Sequence, residues 1–429
     1  MAFSNQIVRD NRAAASAYTD PQGVVGYIPA VSILGPNGSE GLPIAQFGAM
    51  QTVERTPVIE LKSTYGLSAL RDIVTVTGSG GVVHPGIDAA SEFAVATTAN
   101  GADSAQLDSA ERGRYMPGSA GEIGIGIRLA SATRTGNLKT EWGAFTDDDG
   151  FIFGLDATGF YVAVRKGATD TIIRQADFNR DTFDGTGPSG LTLNLLNGNI
   201  FQVDFTWYGY GTIIFEIVTK DLLGTQRKYK FHEFTPTLTT SVGNPNLPIR
   251  AKATNGGTAV AQTVFVAGRQ YSIMGKFNPN KRANGHFRSA ALGSIGTTFL
   301  PVMSFRRKTD FQSISAAVDG FDALTTGDLY WQLRVNGALT GASYGTPADT
   351  TAVETCMEVD TSATAITGGE ILNPGGIIAA SVGQQRALAA ESSLALDIPT
   401  TQPVTLCVRR LTGTNASLSG LVVRWREEW

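Results

Sequence analysis

A chain of 429 residues with a formal net charge of −4 and 17% charged residues has room for two or three domains, each with an ordinary core. Its 42% apolar content excludes a disordered chain, and so small a net charge leaves no basic footprint for nucleic acid or an anionic membrane. No apolar run reaches the ~20 residues of a spanning helix. Met1-Ala2-Phe3-Ser4-Asn5, followed by Arg9, Asp10 and Arg12, lacks the form of a signal peptide, so synthesis in a cytoplasm is expected. The two cysteines, Cys356 and Cys407, stand far apart and read as free thiols.

Residues 1–57 do not read as a domain. A short helical piece is expected over Ile7 to Ala17. Beyond it Pro21, Pro29, Pro36 and Pro43 alternate with Gly23, Gly26, Gly35, Gly38 and Gly41, which prevents any long ladder or helix. Tyr27, Ile28, Ile33, Leu34 and Phe47 make this arm more apolar than a free linker, so they are candidate subunit contacts, as is the closing Trp429.

Residues 58–268 carry the pattern of an antiparallel β-sandwich. Apolar runs of about five or six residues recur at Val58, Ile73, Phe93, Glu122, Thr140, Phe151, Phe160, Ile200, Thr212, Tyr229, Leu247 and Val264, separated by Gly and Asp turns. In one of them Phe201, Val203, Phe205 and Trp207 alternate with Ile200, Gln202, Asp204 and Thr206, which puts one aromatic face on a core. Ile123, Ile125, Ile127 and Leu129 likewise share a face, with Gly124 and Gly126 on the other; glycines there let another layer come close.

Residues 269–429 read as a smaller C-terminal β domain, with Arg269 to Met274 either closing the sandwich or opening this unit. A basic loop with Lys276, Lys281, Arg282, His286 and Arg288 comes next. Strands follow at Val302, Leu329, Val404 and Leu418, with a possible helix over Gln384 to Ser393. No fixed-period repeat is present.

Few residues carry chemistry. Asp177-Phe178-Asn179-Arg180-Asp181 offers oxygen ligands, but Thr182 and Pro188 stand where an EF-hand needs Gly and Glu. The segment therefore reads first as an Asx-rich loop, with Asp177, Asn179 and Asp181 as the candidate ligands if a cation is held. Asp147-Asp148-Asp149-Gly150 reads as a hairpin turn. His84, His232 and His286 are isolated, and Gly341-Ala342-Ser343-Tyr344-Gly345 has no helix after it and no later His. No cofactor and no catalytic residue is expected, although paired carboxylates of a glycosidase leave no sequence signature. Among the aromatics Trp142, Tyr161, Trp207, Tyr208, Tyr210 and Trp331, the Gly-flanked Tyr208 and Tyr210 are the candidate glycan contacts.

Glu111-Arg112-Gly113-Arg114-Tyr115-Met116-Pro117-Gly118, Trp142-Gly143, Asn179-Arg180-Asp181 with Asp184-Gly185, and Phe205-Thr206-Trp207-Tyr208-Gly209-Tyr210-Gly211 together resemble a group of tailed-bacteriophage structural proteins with a jelly-roll or lectin-like β-sandwich. The resemblance covers roughly Pro57 to Met274. It implies an all-β, non-enzymatic virion protein made in the host cytoplasm, of decoration, cement or fibre type. Residues 1–57 would anchor it to other virion proteins, and it would self-associate, with a trimer expected. The alternative is a carbohydrate-binding adhesin or tail-spike module that recognises host glycans. A glycan hydrolase is the third reading.

Overall fold

Alternation of apolar and polar side chains gives strands such as Asn199–Phe205 an inward and an outward face, while continuous apolar runs such as Gly150–Asp156 are buried on both. The structure, a computed structural model, describes residues 14–19, 25–30, 55–83, 91–116, 118–206, 208–275, 281–312, 314–348, 350–377, 396–399, 401–411 and 416–429. In chain order the first strands are β1 (Ala14–Thr19), β2 (Val25–Ala30), β3 (Arg55–Leu61), β4 (Asp72–Thr77), β5 (Gly81–Val83) and β6 (Phe93–Ala96). Next come β7 (Ser104–Arg112), β8 (Ala120–Leu129), β9 (Lys139–Phe145), β10 (Gly150–Asp156), β11 (Gly159–Lys166) and β12 (Thr169–Arg174). Then follow β13 (Asn199–Phe205), β14 (Ile213–Lys220), β15 (Gln226–Phe234), β16 (Pro248–Thr254) and β17 (Thr263–Met274). All the pairings are antiparallel, and the fold is an all-β sandwich.

A seven-stranded sheet, β12-β11-β10-β9-β16-β7-β4, packs on an eight-stranded one, made of β15-β14-β13-β8-β17-β6-β5 and, as its eighth strand, β3, which pairs with β17. Strand β17 continues across the expected boundary at 268/269, with an irregularity in its pairing to β8 between Val266 and Arg269. Its first part pairs with β6, and Arg269 to Met274 pair with β3. Arg269 to Met274 thus belong to the first sandwich, held by ladder bonds on both sides.

The core between the sheets is aromatic. Trp142 is fully buried, stacked on Phe153 (6.4 Å, 15°) and Phe160 (6.1 Å, 22°) and edge-on to Phe201 at 5.1 Å. Phe153 meets Phe215 edge-on at 5.4 Å. Each such pair adds roughly 0.5–1.5 kcal/mol to the burial itself. Across the seven-stranded sheet Gly154 faces Tyr161, and a Cβ at Gly154 would lie 2.1 Å from the ring. Only glycine lets Tyr161 lie flat there.

Twelve further strands follow: β18 (Lys281–Arg288), β19 (Leu292–Ile295), β20 (Leu300–Arg307), β21 (Ser315–Thr325), β22 (Leu329–Val335), β23 (Ala338–Thr340), β24 (Met357–Asp360), β25 (Ala365–Thr367), β26 (Glu370–Ile377), β27 (Leu396–Asp397), β28 (Val404–Arg410) and β29 (Ala416–Glu428). They form two five-stranded sheets and the small β23–β25 pair, around a second core in which Phe321 meets Trp331 edge-on at 4.9 Å. The expected basic loop is in part β18, whose polar residues find a ladder along the long β29. Glu427 is buried and accepts hydrogen bonds from the Thr355 hydroxyl, Cys356 N–H (3.0 Å), Asn284 (2.9 Å), Trp425 (2.8 Å) and Trp429 (3.0 Å). Burial would raise this carboxyl's pKa, but those donors outweigh it and hold it below the ordinary value.

The two units touch through Ala69 and Leu70, which pack on the second core, and through polar and charged pairs. Arg307 reaches Glu111 at 2.5 Å, Arg112 donates to Gln312 at 2.6 Å, Ser68 donates to Glu370 at 2.8 Å, and Arg114 pairs with Glu428.

Two expectations for the N-terminal arm change. Ala14 to Ala17, placed at the end of a helix, lie in β1, which pairs with β2 in a six-residue antiparallel ladder; the small residues Ala14, Ala15, Ser16 and Ala17 carry no period that separates the two states. That ladder also passes Gly26 and Pro29. The expected helix over Gln384 to Ser393 lies outside the described residues, as do Ile33, Leu34 and Phe47 and the side chains of Tyr27 and Ile28.

Trp142→Ala is expected to destabilise the first sandwich by about 3–5 kcal/mol, read as a lower denaturant midpoint of the full chain. A shift under 1 kcal/mol would mean that the seam does not hold the two sheets together.

Candidate functional site

Because Phe201, Val203 and Phe205 of β13 are committed to the core, Ile200, Gln202 and Asp204 must point outward. Register then assembles their neighbours. Gln202 stands beside Glu216 of β14 and Gly124 of β8, and Asp204 beside Glu122 of β8. On the far side of β8, Gln270 is level with Gly124 and Ser272 with Glu122. A Cβ at Gly124 would sit 3.2 Å from Gln270 Oε1 and 3.7 Å from Gln202 Nε2. The bare glycines were expected to admit another layer; at Gly124 the two flanking amides close over the gap instead.

Three carboxylates and two cations meet on this face. Lys228 of β15 reaches Asp204 at 2.6 Å, Glu122 at 3.6 Å and Glu216, while Arg55 holds Glu122 at 2.6 Å. Lys228 meets Glu216 Oε2 as an ion pair without hydrogen-bond alignment, and Asp204 Oδ1 and Gln202 Oε1 are shielded with no hydrogen-bond partner. One lysine cannot balance both Asp204 and the buried Glu216. Burial, and then the charge of Asp204, push the Glu216 carboxyl up to about 8 against the pull of Lys228. Burial alone would lower Lys228, but Asp204 and Glu216 hold it above its usual value. Burial and the charge of its neighbour thus both favour the protonated form of Glu216.

At the other end of the same strands, past Ile200 and Val218, the face opens into a groove of about 530 Å³. Phe183, Leu191, Thr192, Leu193, Asn194, Asn197, Gly198, Asn199, Ile200, Val218, Thr219, Lys220 and Gln226 line it. Its outer wall is a loop that fixes itself. Asp181 accepts from the Phe183 and Ser189 N–H groups at 2.9 and 2.8 Å, and Asn199 donates to the Asn194 and Asn197 carbonyls at 2.9 Å each. Phe183, at φ +50, is wedged edge-on between Tyr229 (5.9 Å) and Phe231 (6.0 Å). The side chains of Thr192, Asn197, Lys220 and Gln226 have no hydrogen-bond or ionic partner among the described residues, and all four are exposed.

The residues singled out from the sequence fall elsewhere. Asp177 is exposed in a short 3₁₀ turn; Asn179 pairs both ways with the Glu233 backbone (2.8 and 2.9 Å); Asp181 serves the groove wall. Their oxygens do not converge, and no group of three His, Cys, Asp or Glu suited to a metal occurs among the described residues. Tyr208 and Tyr210 follow the far end of β13, a strand length of about 20 Å from the groove. Tyr208 (φ +35) packs edge-on against Tyr115 at 6.4 Å, and Tyr210 is 63% exposed. Trp142, Tyr161 and Trp331 are buried; Trp207 and His84 lie outside the described residues. Trp429 packs on its own chain, edge-on to Phe311 at 5.6 Å, and is still 42% exposed. Ser343 of the Gly-x-Ser-x-Gly segment lies in a loop between strands and binds Asp360 through its N–H. Neither the groove nor the carboxylate cluster was foreseen, although the polar Gln202 and Asp204 in an otherwise apolar strand were the signal for it.

No family model and no curated protein matches the sequence. Among solved structures the chain is similar to lectin I-B4 from Griffonia simplicifolia, with 8% identity over 50% of this chain and 99% of that one and a TM-score of 0.31. It is similar too to an endo-β-1,4-glucuronan lyase from the fungus Trichoderma reesei, with 12% identity, 52% and 97% coverage and a TM-score of 0.33. With HCR/D-Sa-GBL1/C it shares 11% identity over 52% of this chain, spanning 49% of that one, at a TM-score of 0.30. No side chain of the site is carried over from any of them.

The fold raises the pKa of Glu216 from the ordinary 4.5 to about 8. What this carboxyl adds to stability is therefore complete below about pH 4.5 and is lost as the pH climbs to about 8. Glu216→Gln should flatten the fall in melting temperature between pH 5 and 8. Parallel melting curves for the two proteins across that range would show that Glu216 holds no such proton.

Proposed function

We propose that the chain is a carbohydrate-binding β-sandwich protein and that the groove beside Ile200 and Val218 receives the sugar. One observation carries this reading: the lining sets unpartnered amide and hydroxyl side chains (Thr192, Asn197, Gln226) against apolar Leu191, Leu193, Ile200 and Val218. A pyranose presents the same alternation, with hydroxyls at its edge and C–H groups on its faces. Free amides pair with the first, and the apolar floor accepts the second. At about 530 Å³ the groove falls within the roughly 300–1,000 Å³ range of small-molecule sites.

The carboxylate cluster does not lead us to hydrolysis. Glycosidases set two carboxyl groups on opposite sides of the scissile bond, about 5–9.5 Å apart, whereas Asp204 and Glu216 lie side by side and share Lys228. The cluster lies farther along the same strands, outside the lining of the groove. The sequence resemblance to tailed-bacteriophage structural proteins supplies the setting we adopt: a self-associating virion component, anchored to other virion proteins by residues 1–57 and meeting a host surface glycan through the first sandwich, with the remainder as a separate β domain.

A glycan array probed with the full-length chain, followed by calorimetry on the hits, tests the reading. Asn197→Ala and Gln226→Ala should each weaken binding about tenfold, the value of one hydrogen bond at about 1–1.5 kcal/mol, while Tyr210→Ala leaves it unchanged. If Tyr208 and Tyr210 substitutions abolish binding and the groove variants do not, the sugar sits at the strand's other end. A folded protein that binds no glycan ends the proposal.

A further inference from the structure

Resting on the glycan reading, we infer that the ligand of the groove is an acidic sugar whose anionic group, a carboxylate or a sulfate, is received by Lys220. Of the thirteen residues that line the groove, Lys220 alone is charged. Its position follows from the sheet: it ends β14 two residues beyond Val218, on the outward side of the strand, so its ammonium stands at the mouth.

What distinguishes this lysine is that it lacks a counter-ion where its neighbours have one. Arg227 is held by Asp221 at 2.8 Å, Arg180 pairs with Glu233, and Lys228 is taken by Asp204 and Glu216. No carboxylate or carbonyl is bound to Lys220 among the described residues.

The acids that border the groove are already engaged. Asp221 accepts from the Leu223 and Thr225 N–H groups at 2.9 and 2.8 Å as well as from Arg227. Asp184, beside Thr192, accepts from the Thr182 and Thr186 hydroxyls at 2.7 and 2.6 Å, and Asp181 accepts from two N–H groups inside the wall. None of the three is bound to the ammonium; Asp221 is matched by Arg227, while Asp181 and Asp184 keep their charge inside the wall, turned to its own N–H and hydroxyl groups.

The charged groups farther along the strand face are held among themselves: Lys228 by Asp204 and Glu216, and Arg55 by Glu122. Of the side chains that line the groove, a ligand therefore meets one charged group, the Lys220 ammonium, among neutral donors and acceptors. A charge-assisted hydrogen bond to that ammonium is stronger than a neutral one and weakens with salt. A neutral sugar offers it only hydroxyl and ring oxygens, which are weaker acceptors than an anion.

The test uses the full-length protein on matched acidic and neutral oligosaccharides: hexuronates and their carboxyl-reduced forms, sialylated and desialylated glycans, sulfated and desulfated ones. Affinities are measured at 50 and 500 mM salt for wild type, Lys220→Gln and Lys220→Arg, with melting curves to show that each is folded. The expected result is that one acidic member binds at least tenfold more tightly than its neutral partner at low salt. That margin should shrink in high salt, vanish in Lys220→Gln and survive in Lys220→Arg. The carboxylate and sulfate pairs identify which anion is read. Equal binding of acidic and neutral partners by wild type, or a preference untouched in Lys220→Gln, overturns the inference while glycan binding stands. Failure to bind any member overturns both.

Discussion

The constraint on which the first sandwich depends is the aromatic seam through Trp142, Phe153, Phe160 and Phe201. These rings fill the space between the sheets, and they also fix the register of the strands that carry them. Because side chains alternate with period two, a slip of one residue in β13 would put Gln202 and Asp204 into the core and expose Phe201 and Val203. No such slip is affordable in a layer this apolar. The inward face thereby dictates the outward one, and the neighbours of Gln202 and Asp204 on β8, β14 and β17 follow from the same pairing.

That dependence explains what was legible in the sequence. The strands with a one-sided apolar pattern, β8 and β13 above all, could be read directly because each needs only one core; β10 and β11 are buried on both faces, with Ile152, Tyr161 and Ala163 in a second cluster, and are marked by their apolar runs and the turns between them. β7 was not legible, since Gln106 and Asp108 interrupt its pattern. Both are buried on the outward side of the seven-stranded sheet, where Arg250 pairs with Asp108 at 2.7 Å. A polar residue that is buried because an arginine from another strand covers it looks exposed in a single sequence. The same holds for β18, whose basic residues gain a ladder from a strand more than a hundred positions later. The site was illegible for a related reason. Lys228, Asp204, Glu216 and Glu122 are separated in sequence and become one cluster only through sheet order, and the groove exists because the 181–199 loop closes on itself.

The Asp and Asn residues first weighed as metal ligands show how loop chemistry can mimic a site. Asn179 copies a strand edge by pairing both ways with the Glu233 backbone, and Asp181 stands in for the carbonyl that the N–H groups of Phe183 and Ser189 lack. Both contributions are structural, and their result is a wall. The oxygen-rich segment thus matters to binding indirectly, through the groove that it holds open.

Between the two units the contacts are of another kind. Arg307 and Glu111 are both largely withdrawn from water; burial raises the Glu111 carboxyl, and Arg307 pulls it back. A pair of this sort adds little net stability relative to an apolar contact of the same shape, because desolvation consumes most of the attraction. Breaking it, however, strands a buried charge. It therefore fixes how the units meet more than how firmly they hold. Within the first sandwich the charges of the outward face are likewise held by one another, Lys228 by Asp204 and Glu216 and Arg55 by Glu122, so they set the geometry of the strands beside the groove more than they add to stability.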